Sequence, residues 1–236
     1  MNIVIIIAGG VGNRLGASVP KQFVEVLGKP VIVYTLQKFQ EHPMIDAIEL
    51  VCVEGYQEYL MQLIKDNGID KVIKIVTGGS EYERSIMNGV AGLDGIAQPD
   101  DVIMVHWSAS PFVSEDIITD NIRVCKEKGN AIAASYSYLL YGTNDGDCAK
   151  HTINRESFMT LSAPQSFLYK IIKDVYNQVE EKNMFEFVEH HTTALMTSLG
   201  IPLYFSKGSN ANIKITTKED LDLFRGYLLN KRYPDD

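Results

Sequence analysis

Apolar positions along the chain follow two alternating patterns. Short β-branched runs at 3–7, 47–53, 74–76, 102–105 and 131–135 predict strands, and each of the first four is followed by a longer stretch of helical spacing, at 31–40, 57–67, 84–93 and 114–127. Strands alternating with helices need crossover connections, so the pattern predicts an α/β fold with a largely parallel sheet covered by helices on both faces. Further helices are expected at 168–181 and 218–230. No internal repeat, low-complexity tract or Pro/Ser-rich linker interrupts this order, and one domain over 1–236 is the expectation.

One segment breaks the rhythm. Between 136 and 152 two extended patterns flank Thr143-Asn144-Asp145-Gly146-Asp147, a turn-forming cluster centred on Asp145-Gly146. A protruding β-hairpin arm over about 136–155 follows. Tyr136, Tyr138, Leu139, Leu140 and Tyr141 give it more aromatic and apolar surface than a monomer should expose. Self-association into a homodimer through the arm is the expectation; the alternative is that these side chains fold back on their own domain.

Composition narrows the classes of partner. A hydrophobic fraction of 45% over 236 residues is ample for a sizeable core. The net charge of −8, with Lys and Arg scattered singly, opposes a nucleic-acid or anionic-membrane surface, so any phosphate site must be local. Cys52, Cys125 and Cys148 are an odd number at wide spacing without a CxxC pair, which fits neither a disulfide framework nor a zinc site; Cys52 reads as a core strand residue. Met1 runs straight into Ile3-Val4-Ile5-Ile6-Ile7, too short and too poor in basic residues for a signal peptide, and no run of 18 apolar residues follows. A cytoplasmic location is the resulting expectation.

The most informative stretch is Ala8-Gly9-Gly10-Val11-Gly12-Asn13-Arg14-Leu15-Gly16, directly after the first strand, followed by Pro20-Lys21-Gln22. Glycines there let the main chain turn tightly and bring bare N–H groups against phosphate oxygens. Arg14 can fork two oxygens, and Lys21 adds a mobile point charge near a leaving group. Counting excludes two rival motifs: a GxGxxG fingerprint needs a small residue at position 15, which is Leu15, and a P-loop needs a terminal GK[ST]. What remains, GGxGxRxG with PKQ downstream, resembles the signature of nucleotidyltransferases that join an NTP to a sugar or alditol phosphate.

Within that superfamily the chain is similar to the cytidylyltransferases acting on methylerythritol phosphate and ribitol 5-phosphate, from Ile3 to about Leu228. The resemblance implies a Rossmann-like nucleotidyltransferase fold and a reaction of CTP with a small polyol phosphate. Thr77-Gly78-Gly79 followed by Arg84-Ser85-Ile86-Met87-Asn88-Gly89 matches the motif that in relatives recognises cytosine and ribose, with Gly78 and Gly79 amides and the Ser85 hydroxyl as candidate contacts. Ala8, Gly9, Gly10, Val11, Gly12, Asn13 and Ser108 complete the expected nucleotide site, and Arg14, Lys21 and Lys214 the expected catalytic set. Arg155 matches an arm arginine that binds the acceptor phosphate, often across a dimer interface. Ala163-Pro164-Gln165-Ser166-Phe167 resembles a TPQ-F turn, and Asn212-Ile213-Lys214-Ile215-Thr216-Thr217 the NIKIT signature. Thr216-Thr217-Lys218-Glu219-Asp220 caps the last helix whatever the function.

The departures concern the acceptor. Relatives carry HDxxRP where this chain has His106-Trp107-Ser108-Ala109-Ser110-Pro111, so Trp107 replaces an aspartate and Ser110 an arginine. A DT(I/M)K stretch aligns with Tyr138-Leu139-Leu140-Tyr141, and a TD(D/E) segment with His190-His191-Thr192. Trp107, Ser110, Arg155, His191 and Thr192 are therefore the expected acceptor side. Loss of an acid together with its arginine partner avoids an unpaired buried charge and reads as a rebuilt pocket, suited to an acceptor as small as glycerol phosphate. Mg²⁺ is the expected cofactor, held by triphosphate oxygens and water with no protein ligand assigned. His190-His191 reads as a solvated loop or acceptor lining; a zinc site would need a third ligand. The resemblance implies a route to a surface polymer such as capsule or teichoic acid, and three other functions stay open: a methylerythritol phosphate cytidylyltransferase of isoprenoid synthesis, a non-catalytic CTP-binding regulator, and a nucleotidyltransferase using UTP or GTP on a sugar 1-phosphate.

Overall fold

The first strand, β1 (Asn2–Ala8), is buried along its whole length and divides its side chains between two cores. Ile3, Ile5 and Ile7 point into one cluster and Val4, Ile6 and Ala8 into the other, as the two-residue period of a strand requires. A sequence apolar at every position is thus a strand covered on both faces. The computed structural model describes residues 1–10 and 19–232.

The remaining strands are β2 (Glu25–Val26), β3 (Lys29–Pro30), β4 (Ala47–Cys52), β5 (Val72–Thr77), β6 (Val102–Trp107), β7 (Asn130–Tyr136), β8 (Tyr141–Gly142), β9 (Thr152–Ile153), β10 (Met159–Leu168) and β11 (Phe205–Lys207). The helices are α1 (Val31–Glu41), α2 (Gln57–Asp66), α3 (Tyr82–Gly92), α4 (Glu115–Lys128), α5 (Tyr169–Glu181), α6 (Thr192–Ser198) and α7 (Lys218–Arg232). A seven-stranded sheet runs in the order β11-β7-β10-β6-β1-β4-β5. Only β10 opposes its neighbours; the pairings β1–β4, β1–β6, β4–β5 and β7–β11 are parallel. Ile86 and Val90 of α3, Ile172 and Val175 of α5 and Leu195 of α6 cover one face. Leu36 and Phe39 of α1, Leu60 of α2 and Ile118 and Ile122 of α4 cover the other. The helix α4 stops at Gly129, whose φ of 92° is a left-handed value suited to a residue without a Cβ.

Periodicity located β1, β4, β5, β6 and β7 and the helices α1 to α4. It did not reveal β10, β11 or α6, whose apolar positions are interrupted by polar ones or too few to set a period. The stretch 163–167, expected as a turn, lies inside β10, and the ladder to β7 shifts register between Ser162 and Gln165, where Pro164 has no N–H to donate. Cys52 is a buried strand residue as expected, and burial raises its thiol to about 11.

The arm is present as the antiparallel pair β8–β9. Tyr141 packs on Phe158 of its own chain, whereas Tyr138, 79% exposed, and Leu140, 86% exposed, do not fold back. A sharper conflict lies in the core. Glu49 of β4 is fully buried beneath α3, and neither carboxylate oxygen has a hydrogen-bond partner among the described residues. Gly89 and Gly92 make room for it, since a Cβ on Gly92 would lie 2.2 Å from Glu49 Oε1. Burial pushes this carboxyl up to about 8, against the opposing pull of Lys74.

Candidate active site

In an open parallel sheet, ligands bind beyond the carboxyl ends of the strands, where the strand order reverses. Here that place lies between β1 and β6, because the chain proceeds from β1 through β4 and β5 on one side and returns to β6 on the other. Two adjoining pockets open there. The first lies between the end of β1 and the β5–α3 loop, lined by Gly9, Gly10, Gly78, Gly79 and Ser85 among others. The second lies towards β6, with Lys21, Trp107, Ser108 and Lys214 in its wall. Ile7, Gly10 and Tyr82 belong to both.

Close backbone approach explains the glycines of the first pocket. A Cβ on Gly78 would stand 3.1 Å from Gly9 Cα, and one on Gly9 would stand 2.8 Å from Ser85 Oγ. The two glycine loops therefore dock directly on each other. At Gly10 an added Cβ would meet nothing within 4 Å among the described residues. Ser85 ties the second loop together: its hydroxyl accepts from Gly79 N–H at 3.0 Å and donates to Glu81 O at 3.0 Å. This differs from the reading in which the Gly78 and Gly79 amides meet the base. Gly78 N–H donates to Cys52 O at 2.8 Å and Gly79 N–H to Ser85, so both amides build the loop. Val11, Gly12, Asn13 and Arg14 lie outside the described residues.

Gln22 is the part of the PKQ motif that sequence reading passed over. It is buried, and its amide donates to Ala8 O at 2.8 Å and Gly10 O at 3.0 Å, clamping the start of the glycine loop. Ala8 is itself buried under that clamp. Lys21, one residue earlier, points the other way and donates from Nζ to Ile215 O at 2.9 Å. That bond brings together two lysines far apart in sequence, since Lys21 and Lys214 wall the same pocket. Ile215 N–H in turn donates to Ala109 O at 2.8 Å, which fixes the segment before α7 to the end of β6.

The second pocket is aromatic on one side, with Tyr82 and Trp107 in its wall. Trp107 Nε1–H donates to Tyr82 Oη at 2.7 Å, and Lys214 Nζ sits 4.5 Å from the indole centroid and 5.6 Å from that of Tyr82. The Tyr82 ring also meets His191, centroids 5.5 Å apart. Burial raises the Tyr82 phenol above its ordinary range and lowers His191, so both are neutral near pH 7. Tyr82 carried no signal in the sequence motifs, and it is the aromatic partner of Trp107.

Three expected acceptor residues stand elsewhere. Ser110 is buried, and its hydroxyl has no partner among the described residues; its carbonyl accepts from His106 Nε2 at 3.0 Å, closing the turn after β6. Burial lowers His106 to about 4, so it is a neutral structural clasp. Thr192 is buried too, bonded to Tyr176 Oη at 3.0 Å and Glu83 Oε2 at 3.2 Å, and it anchors α6 to α3 and α5. Arg155 lies on the surface beside the arm, where its guanidinium donates to Tyr138 O at 3.4 Å, and it lines neither pocket of its own chain. Ser108 walls the second pocket and not the first, and its carbonyl accepts from Thr35 Oγ1 at 2.8 Å. His190 bonds Phe185 O and Glu81, both of which raise its pKa. Among the described residues no three His, Cys, Asp or Glu side chains gather in a way that could hold a metal ion.

The family model described as IspD, 2-C-methyl-D-erythritol 4-phosphate cytidylyltransferase, matches residues 2–230. The chain belongs to this cytidylyltransferase family, and so to the nucleotidyltransferases. It is 37% identical over 228 residues to the ribitol-5-phosphate cytidylyltransferase of Lacticaseibacillus paracasei, covering 96% of this chain and 97% of that protein. It is 38% identical over 226 residues to the 2-C-methyl-D-erythritol 4-phosphate cytidylyltransferase of Clostridium botulinum, covering 94% of this chain and 95% of that one. In fold it is similar to a crystal structure of 4-diphosphocytidyl-2C-methyl-D-erythritol synthase, with a TM-score of 0.79 at 22% identity over 96% of this chain and 98% of that one. No helix among the described residues is long and apolar enough to cross a membrane.

Proposed function

We propose that this cytidylyltransferase joins CTP to a small polyol phosphate, ribitol 5-phosphate or a shorter one such as glycerol phosphate. The observation that carries the reading is the meeting of two pockets at Gly10 and Tyr82, one built from docked glycine loops and the other walled by Lys21 and Lys214. CTP would lie in the first with its α-phosphate at the junction, and the acceptor phosphate in the second. An acceptor phosphate oxygen attacks the α-phosphorus in line, the new P–O bond forms, and the bond to the β-phosphate oxygen breaks as pyrophosphate leaves with its electron pair. The acceptor is already an anion, so no general base is required. This chain's contribution is to hold two polyanions together and neutralise charge with Lys21, Lys214 and, by resemblance, Arg14.

Mg²⁺ is proposed to arrive on the triphosphate, where it would supply further neutralisation of the phosphate oxygens. The described residues form no cage for it, and each step above belongs to the protein's own groups. Arg155, on the exposed arm, is proposed to reach the acceptor phosphate of a second copy in a homodimer. Delivery of the CDP-alcohol to a capsule or teichoic acid belongs to the same proposal.

Methylerythritol phosphate is the second reading, favoured by the equally high identity to enzymes named for that acceptor. Pyrophosphate release with CTP, UTP and GTP against ribitol 5-phosphate, glycerol phosphate and methylerythritol phosphate separates the readings. Turnover with CTP and a ribitol or glycerol phosphate is expected. Turnover with methylerythritol phosphate alone would install the second reading, and CTP binding without turnover a regulatory one.

A further inference from the structure

We propose that Tyr82 and Trp107 are positioning residues that hold the Lys214 ammonium at the junction of the two pockets through their ring faces. This rests on the assignment of that junction to phosphate transfer. The geometry is a chain of contacts across four separate parts of the sequence. Trp107 ends β6, Tyr82 opens α3, His191 precedes α6, and Lys214 lies in the segment before α7. The indole cannot turn freely, because its N–H is bonded to Tyr82 Oη at 2.7 Å. Lys214 Nζ lies 4.5 Å from one ring centroid and 5.6 Å from the other, both within the range of cation–π attraction. The Tyr82 ring also meets the His191 ring, centroids 5.5 Å apart.

The chemistry of this support differs from that of an ion pair. A carboxylate beside a lysine fixes it and also cancels its field, whereas a π-face attracts the ammonium through its quadrupole and leaves the net charge in place. Trp107, Tyr82 and His191 are all neutral, so they orient Lys214 without subtracting from what it offers a phosphate. A long, flexible lysine otherwise loses side-chain entropy each time it engages a ligand, and pre-positioning removes part of that cost from the reaction. The aromatic replacement in the HWSASP stretch is then more than a smaller acceptor pocket. With Tyr82, Trp107 places the Lys214 cation.

A double-mutant cycle on the full chain tests this. Trp107→Leu is expected to lower kcat about 10-fold with KM for CTP within about twofold, and Lys214→Ala to lower kcat more. The variant carrying both should match Lys214→Ala alone, because Trp107 acts through the lysine. Full multiplication of the two losses would overturn the proposal, as it would mean that Trp107 acts on its own. Tyr82→Phe, which keeps the ring and removes only the acceptor for the indole N–H, is expected to lose a few-fold in kcat. Because Trp107 is the single tryptophan of the chain, its fluorescence reads that loosening directly.

A readout independent of turnover separates this proposal from the assigned reaction. Ring currents should move the Lys214 side-chain methylene proton signals upfield in the wild type, and Trp107→Leu should return most of that shift. Wild-type signals at ordinary positions would overturn the positioning role even in an active enzyme. Shifted signals in a protein that releases no pyrophosphate from CTP would uphold it and remove the reaction instead.

Discussion

The two pockets share Gly10 and Tyr82 yet are built on different principles. The glycine-lined pocket is made of main chain: glycine docked on glycine, amides satisfied by neighbouring carbonyls and the Ser85 hydroxyl, and Gln22 clamping the loop. The lysine side is made of long side chains converging from distant segments, with Trp107 and Tyr82 setting where Lys214 stands. Backbone construction tolerates little change, since a single Cβ collides. Side-chain construction allows one support to be exchanged for another of similar size.

The largest test removes the cation nearest the expected leaving group. Lys21→Ala should cut turnover on the order of 10³-fold while the melting curve stays within a few degrees of wild type, because the residue faces the pocket and not the core. Wild-type rates would strip the second pocket of its catalytic role.

Next comes the buried carboxyl under α3. The Glu49 carboxyl is raised from 4.5 to about 8 in the folded chain, so its protonated form favours the fold; that contribution is complete below about pH 4.5 and is lost as pH climbs towards 8. Wild-type stability should fall by roughly 5 kcal/mol across that window through this group, and Glu49→Gln should flatten the slope. Denaturant midpoints from pH 5 to 9 check it. An unchanged slope in the variant would place the titration elsewhere.

Gly79→Ala should weaken CTP binding about tenfold, since its Cβ would lie 2.3 Å from Arg84 Cβ and force the loop open. Acceptor affinity should move much less, and calorimetry with each ligand shows whether the two sides are separable. The smallest effect belongs to a residue first expected to touch the acceptor. Thr192→Val should cost about 1 kcal/mol of stability through its bonds to Glu83 and Tyr176, with acceptor KM unchanged. A raised KM without loss of stability would return Thr192 to the pocket.

Sequence alone determined the layered α/β architecture, because strands buried on both faces must be apolar at every position and their crossover helices must carry an apolar stripe. It also determined the glycine loops and Lys21, since local backbone geometry and a loop motif are written in consecutive residues. Tertiary structure decided what depends on meetings between distant segments. It paired Trp107 with Tyr82, used the Gly78 and Gly79 amides inside the loop, withdrew Thr192 into the core, and set β10 antiparallel between β6 and β7. The physical reason is that burial and side-chain direction follow from packing across the whole sheet, and no local pattern around 82, 107 or 214 encodes which of them will touch.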